Sequence, residues 1–165
     1  MKAFKILLRS SIAAAVFAVA ISCEPITNPE PIPVIDSTQT AIIIGTAYAN
    51  TDMTNDTTGT YEQDYERAPA NTIVKVVLDA NDFSNTASPG QNLSYSTQVD
   101  GSGNFSIEVP ALEGPIGVEV YVDSFKKSQT KSDGTQQAEV FEAFPSFITV
   151  TADMTTYVDV VYNVR

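Results

Sequence analysis

Residues 99–110 read Val99-Asp100-Gly101-Ser102-Gly103-Asn104-Phe105-Ser106-Ile107-Glu108-Val109-Pro110. From Asn104 onward the segment alternates. Phe105, Ile107 and Val109 fall on one side of an extended chain, and Asn104, Ser106 and Glu108 on the other. A period of two marks a strand with one face buried. Gly101 and Gly103 stand just before it, where a tight turn needs positive φ. The stretch therefore predicts a hairpin feeding a half-buried strand, with Phe105 in the core.

The same alternation continues outward in both directions. Residues 116–122 place Val118 and Val120 opposite Glu119 and Tyr121, and residues 71–80 place Val74, Val76 and Leu78 together. Residues 156–163 set Val158, Val160 and Tyr162 against Asp159 and Asn163. A β-branched run covers 41–48, a more polar strand 92–98, and two short pieces, 138–143 and 146–150, flank Pro145. No apolar stripe of helical period follows the N-terminal leader. Seven or eight short strands in one domain predict an all-β fold, an antiparallel β-sandwich spanning residues 40–165.

The two ends of the chain bound its setting. Lys2, Lys5 and Arg9 precede the apolar run 11–21, the pattern of a secretory signal. That run is shorter than the roughly 20 residues a membrane span needs. Ala20-Ile21-Ser22-Cys23 closes it and resembles a bacterial lipobox, with Ala20 where Leu is usual. The resemblance implies a signal peptide over 1–22, cleavage before Cys23 and lipidation of Cys23. Cys23 is the single cysteine, so no intramolecular disulfide can form. Residues 23–39 carry Pro25, Pro29, Pro31 and Pro33 and read as a proline-rich tether. In polyproline II form its reach is on the order of 50 Å. The expected location is the outer membrane, lipid-anchored, on the periplasmic face or the cell surface.

With the leader removed, 6 basic residues stand against 20 acidic ones, a formal charge near −14. That balance argues against nucleic acid, which needs Lys and Arg to displace counterions. It also disfavours anionic headgroups, so the membrane enters as a partner only through the lipid.

The middle of the chain resembles a family. Ile44-Gly45-Thr46-Ala47, Ala68-Pro69-Ala70-Asn71-Thr72-Ile73-Val74-Lys75-Val76 and the hairpin 96–110 with its Asp-x-x-Gly-x-Phe turn are similar to the carboxypeptidase regulatory-domain-like, or transthyretin-like (prealbumin-like), β-sandwich of bacterial surface proteins. The resemblance covers about residues 42–122. It implies a fold and an accessory, adhesive or scaffold role, and it brings no catalytic residue. The long 50–71 insertion departs from the family pattern.

Histidine is absent, which removes Ser-His-Asp and Cys-His catalysis and the commonest zinc sites. No spacing singles out a carboxylate pair among the 20 acids. No cofactor, metal site or enzymatic activity is expected. Asp100, Ser102 and Asn104 place oxygens at calcium-loop spacing, but Ala111 stands where an EF-hand needs Glu, and a tight turn explains them more simply. The acidic run Asp52, Asp56, Glu62, Asp64 and Glu66 is the other calcium pattern, read more simply as a solvated loop.

Function is sought instead in the two long polar connections, 50–71 and 124–137. Their candidate binding residues are Asp52, Asp56, Tyr61, Asp64 and Tyr65 in the first and Lys126, Lys127 and Lys131 in the second. Alternation of strand direction predicts that these connections share one end with 100–103, opposite 80–91 and 110–115. Their opposite charges are expected to order them against each other. The expected role is a non-enzymatic binding, adhesion or assembly module with an unidentified protein or glycan partner. The alternatives are a carbohydrate-binding accessory lipoprotein of an uptake system and a fimbria-associated subunit.

Overall fold

Alternating burial organises the chain. In the computed structural model, which describes residues 39–56, 64–84 and 86–165, every alternating segment above is a strand with one buried face. The strands are β1 (Thr40–Ala49), β2 (Glu66–Arg67), β3 (Ile73–Asp79), β4 (Asn92–Gln98) and β5 (Asn104–Pro110). They continue as β6 (Ile116–Val122), β7 (Phe125–Thr130), β8 (Gln136–Glu142), β9 (Ser146–Val150) and β10 (Thr155–Val164). Leader, Cys23 and tether lie outside the described residues, as do Tyr61 and Glu62.

Two sheets form an all-β sandwich. One runs β2-β1-β10-β8-β7, with β5 also on β1; the other runs β4-β3-β6-β9. β10 takes one edge of β1, so β5 and β2 share the other: β5 pairs residues 40–46 and β2 pairs Tyr48 and Ala49. Phe105, Val109, Val74, Val76, Val118 and Val160 meet between the sheets with almost no exposure. Gly45 sits opposite Phe105, where a Cβ would run into the ring. The glycine is required there because the aromatic fills the space above it.

Three expectations need correction. The strands number ten among the described residues, beyond the expected seven or eight, because β2 and β7 are polar and show no apolar alternation. The sandwich is not antiparallel throughout: β1 and β10 run parallel, from Ile42↔Thr155 to Ala49↔Tyr162. Nothing local announces a pairing between the first and last strands.

Residues 124–137, expected as a long loop, are instead β7, a tight turn and the start of β8. The full β7–β8 ladder, Phe125↔Phe141 to Thr130↔Gln136, holds this polar edge. In the turn, Lys131 N donates to Thr135 O at 2.7 Å, and Gly134 takes φ 82°. Lys126 and Lys127 are therefore strand residues; Lys131 begins the turn.

Strand direction sorts the connections as expected. β1 enters the sandwich at Gln39, whose carbonyl accepts from Ala111 N at 3.0 Å, and Asp153 N donates to Thr40 O at 2.8 Å. At its exit, Ala47 N donates to Gly103 O at 2.9 Å and Thr130 N to Thr51 O at 2.9 Å. The connections after β1, β4 and β6–β7 thus gather where β1 leaves, away from the point where the chain enters.

Candidate functional site

The site is built where β1 runs out. Past Ala49 the chain turns from its ladder and lies beside β7. Met53 N donates to Thr130 O at 2.8 Å, and Asp52 bridges Thr130 in parallel. The two segments expected to meet by charge therefore meet through backbone. Lys127 reaches across only to the Thr51 hydroxyl, at 3.2 Å. Among the described residues the ion pairs are Lys131–Glu139 at 2.7 Å and Arg165–Glu142 at 3.2 Å, neither between the two segments.

Glu66, on β2, organises the loop. Its carboxylate accepts from Thr51 N at 2.6 Å, Asp52 N at 2.9 Å and Asn55 Nδ2 at 2.9 Å. Asp56 accepts from Asn50 Nδ2 at 2.8 Å and from Asp64 N at 2.9 Å. Asp52 accepts from the Thr54 hydroxyl and amide, and those bonds hold its carboxyl below the usual carboxylate range. The acids are occupied in shaping the loop, and among the described residues no three carboxylates come together as a metal set. Asp100 is likewise occupied by its turn, accepting from Ser102 N at 2.7 Å and Asn104 N at 2.9 Å.

Between this loop, β7, β8 and the end of β10 lies a cleft of about 340 Å³, lined by Asn50, Met53, Tyr65, Gln129, Lys131, Phe141, Tyr162, Asn163 and Val164. Gln129 is 4% exposed; its Nε2 donates to the Asn50 carbonyl at 2.6 Å, and its Oε1 accepts from Lys131 Nζ at 2.6 Å. Lys131 also donates to Glu139 at 2.7 Å. Beneath, Phe125 stacks on Phe141 at 5.0 Å and meets Tyr162 edge-on at 4.8 Å. The Tyr162 hydroxyl donates to Asp123 O at 2.8 Å.

Asn50 stands out. The side chain is 8% exposed and its Nδ2 is committed to Asp56, which fixes the amide's orientation. Its Oδ1 is buried and accepts no hydrogen bond among the described residues. A buried acceptor without a donor costs about 1–3 kcal/mol.

Of the residues expected to bind, Tyr65 and Lys131 line the cleft. Asp56 anchors Asn50, Asp52 caps Thr54, and Lys127 holds Thr51. Asp64 and Lys126 are exposed outside the cleft lining. Tyr48, on β1, lies under the Arg67 guanidinium at 4.5 Å. Sequence reading missed Asn50 and Gln129. The one signal for Gln129 was its even spacing from Phe125, visible only if 125–130 is read as a strand.

No family model and no curated protein matches the chain. Among solved structures, a double mutant of the shaft pilin SpaA from Lactobacillus rhamnosus GG is similar over 75% of this chain and 50% of that one. Identity is 9% and the TM-score 0.32; the chain spans half the length of that pilin.

Proposed function

We propose that this chain is a non-enzymatic cell-envelope module, lipid-anchored through Cys23, that binds its partner at the end where β1 leaves the sandwich. One observation carries the reading. The 340 Å³ cleft lies at the end opposite the point where the chain enters at Gln39. β1 alone, ten residues long, separates the two by about 30 Å. A domain tethered at its entry presents that cleft away from the anchoring surface.

Two experiments test the halves of this reading. Acyl anchoring contributes roughly 0.8 kcal/mol per buried CH₂, so Cys23→Ala should move the protein from the outer-membrane fraction to the soluble one. Equal membrane retention of variant and wild type sinks the anchor. A photo-crosslinking residue at Val164 should trap a partner in living cells, while one at Asp82, at the entry end, should not. Adducts only from Asp82 sink the binding end.

A second reading, a fimbria-associated subunit, is favoured by β9. That edge strand, Ser146–Val150, has one sheet neighbour, no charged residue, and Phe147 75% exposed. Natural edges are usually guarded by charge or proline, and an unguarded one suits strand addition. Co-purification with filaments, lost in Ile148→Pro, tests it.

A further inference from the structure

We infer that the free edge of β9 takes the β9 of a second copy of this chain, antiparallel about a two-fold axis at Phe147; this rests on the same open edge as the second reading above and names what covers it. Backbone direction decides which groups the edge presents. In an extended strand the N–H and C=O of one residue point to one side and those of the next to the other. Ala152 N donates at 2.8 Å to the carbonyl of Leu112, in the connection leading into β6. The Thr149 carbonyl instead accepts from the Thr156 hydroxyl on β10 at 3.1 Å, and the Thr151 carbonyl from Met154 N at 3.2 Å. Even positions therefore face β6, where Ser146, Ile148 and Val150 lie opposite Val120, Val118 and Ile116. Phe147 and Thr149 turn their backbone outward, where no strand pairs among the described residues.

Along that edge three residues make three different offers. Pro145, immediately before β9, has a carbonyl and no N–H. Phe147 has both. Thr149 has an N–H that bonds nothing among the described residues, while its carbonyl is held by Thr156. Acceptor, both, donor is an order that complements itself when reversed. With Phe147 on the axis, the two Phe147 exchange both bonds, and each Thr149 N–H meets the second copy's Pro145 carbonyl. A foreign strand would leave its own carbonyl without a donor opposite Pro145. A second β9 puts Thr149 there, whose carbonyl already has its donor. That match favours a second copy as the occupant. The side chains agree. Phe147, 75% exposed, comes beside its counterpart as a cross-strand aromatic pair, and β9 carries no charge. Glu119, opposite Phe147 on β6, is one strand in, so the two Glu119 stand three strand spacings apart, about 14 Å, beyond the screening length in physiological salt. A five-residue edge is well short of the roughly 1,200 Å² of a stable interface, so the pair forms where copies are crowded on one surface.

The test is oxidative cross-linking of the full chain on intact cells. Directly opposite residues of such a pair have Cα atoms about 5.5 Å apart, within disulfide reach, whereas the two Thr149 lie four residues out of register, about 14 Å apart. Phe147→Cys should give about tenfold or more disulfide-linked dimer than Thr149→Cys, with wild type, whose one cysteine is Cys23, as the baseline. Adding Thr149→Pro to Phe147→Cys removes the donor that meets Pro145. It should cut the dimer severalfold while the melting temperature holds, because that N–H faces away from β6. No dimer above baseline from Phe147→Cys, or as much from Thr149→Cys, overturns the pairing. A yield undiminished by Thr149→Pro in a folded variant overturns it too. Filament co-purification separates this inference from the second reading. Filaments without a Phe147→Cys dimer sink self-pairing and leave the fimbrial subunit standing; the dimer without filaments sinks the fimbrial subunit and leaves self-pairing.

Discussion

The two ends of β1 are satisfied by different chemistry. At the entry, the backbone of Gln39, Thr40 and Ile42 is met by the backbone of Ala111, Asp153 and Met154. At the exit, backbone bonds tie Thr51 and Met53 to Thr130, but the carbonyl of Asn50 is met by the Gln129 side chain, and the amides of Thr51 and Asp52 by the Glu66 carboxylate. A backbone partner is indifferent to which residue supplies it, so the entry end tolerates substitution. A side-chain partner ties the shape of the exit end to a few residues and leaves a cleft between them. The exit end is where sequence change can reshape the cleft without dismantling the sheets.

The core underlies both ends, and its loss should erase the contrast. Phe105→Ala empties a site that is 3% exposed and should cost about 3–5 kcal/mol. Amide exchange should quicken at both ends together, with a marked fall in melting temperature; a fall of no more than about a degree contradicts Phe105's place in the core. Glu66→Ala should sharpen the contrast. It removes a carboxylate that takes four hydrogen bonds from Thr51, Asp52 and Asn55, at about 2 kcal/mol. Exchange should rise at Thr51 and Asp52 and stay unchanged at Ala111 and Asp153. Equal acceleration at both ends would mean that they do not open separately.

Tyr162→Phe tests the floor of the cleft. It removes the bond to Asp123 O, worth about 1 kcal/mol. Burial, and then the Asp123 charge, push the Tyr162 phenol well above its ordinary value of 10.0. The unfolded chain ionises near that ordinary value while the folded one keeps its proton. This contribution is therefore complete below pH about 10 and declines as pH rises past it. The Phe variant should lose less stability between neutral and strongly alkaline pH than wild type; identical alkaline slopes contradict the burial of this hydroxyl.

The smallest effect compares two acids, Asp52, half-buried, and Asp79, exposed. Asp52 at the exit is held low by the Thr54 hydroxyl, and Asp79 at the entry by the Asn81 amide. A carboxyl lowered on folding stabilises above its unfolded value of 3.8 and loses that contribution as pH falls through the folded one. Asp52→Asn and Asp79→Asn should each flatten the acid limb of stability slightly and similarly. Acid unfolding monitored by circular dichroism checks this, and a large effect from either one contradicts so local a set of hydrogen bonds.

What was legible in the sequence follows from burial. β3, β5 and β6 each bury one face, and that leaves a period of two in the residues. β7 reads Phe-Lys-Lys-Ser-Gln-Thr, buries fully only Gln129, and looks like a loop because its stability comes from the β8 ladder. The parallel β1–β10 pair joins residues more than a hundred positions apart, and no local pattern encodes it. The same limit applies to the cleft. Tyr65 and Lys131 were found because polar connections draw attention. Asn50 and Gln129 are buried amides, indistinguishable in composition from solvated ones until the fold buries them and sets the Gln129 amide on the Asn50 backbone carbonyl.

The β1–β10 pair has a mechanical consequence. The strands run the same way, so the chain enters at one end of the domain and Arg165 leaves at the other. If a tethered protein is held by its cleft while the surface beneath moves, tension runs along β1 from Thr40. Ladder hydrogen bonds lie across the strands. Such a pull therefore shears eight registered pairs with β10 and seven with β5 at once, where a pull across an edge strand would open them one by one. Stretching a single molecule between Thr40 and Arg165 should need more force than peeling β9 from β6. The strand that carries the load is the one gripped along both edges.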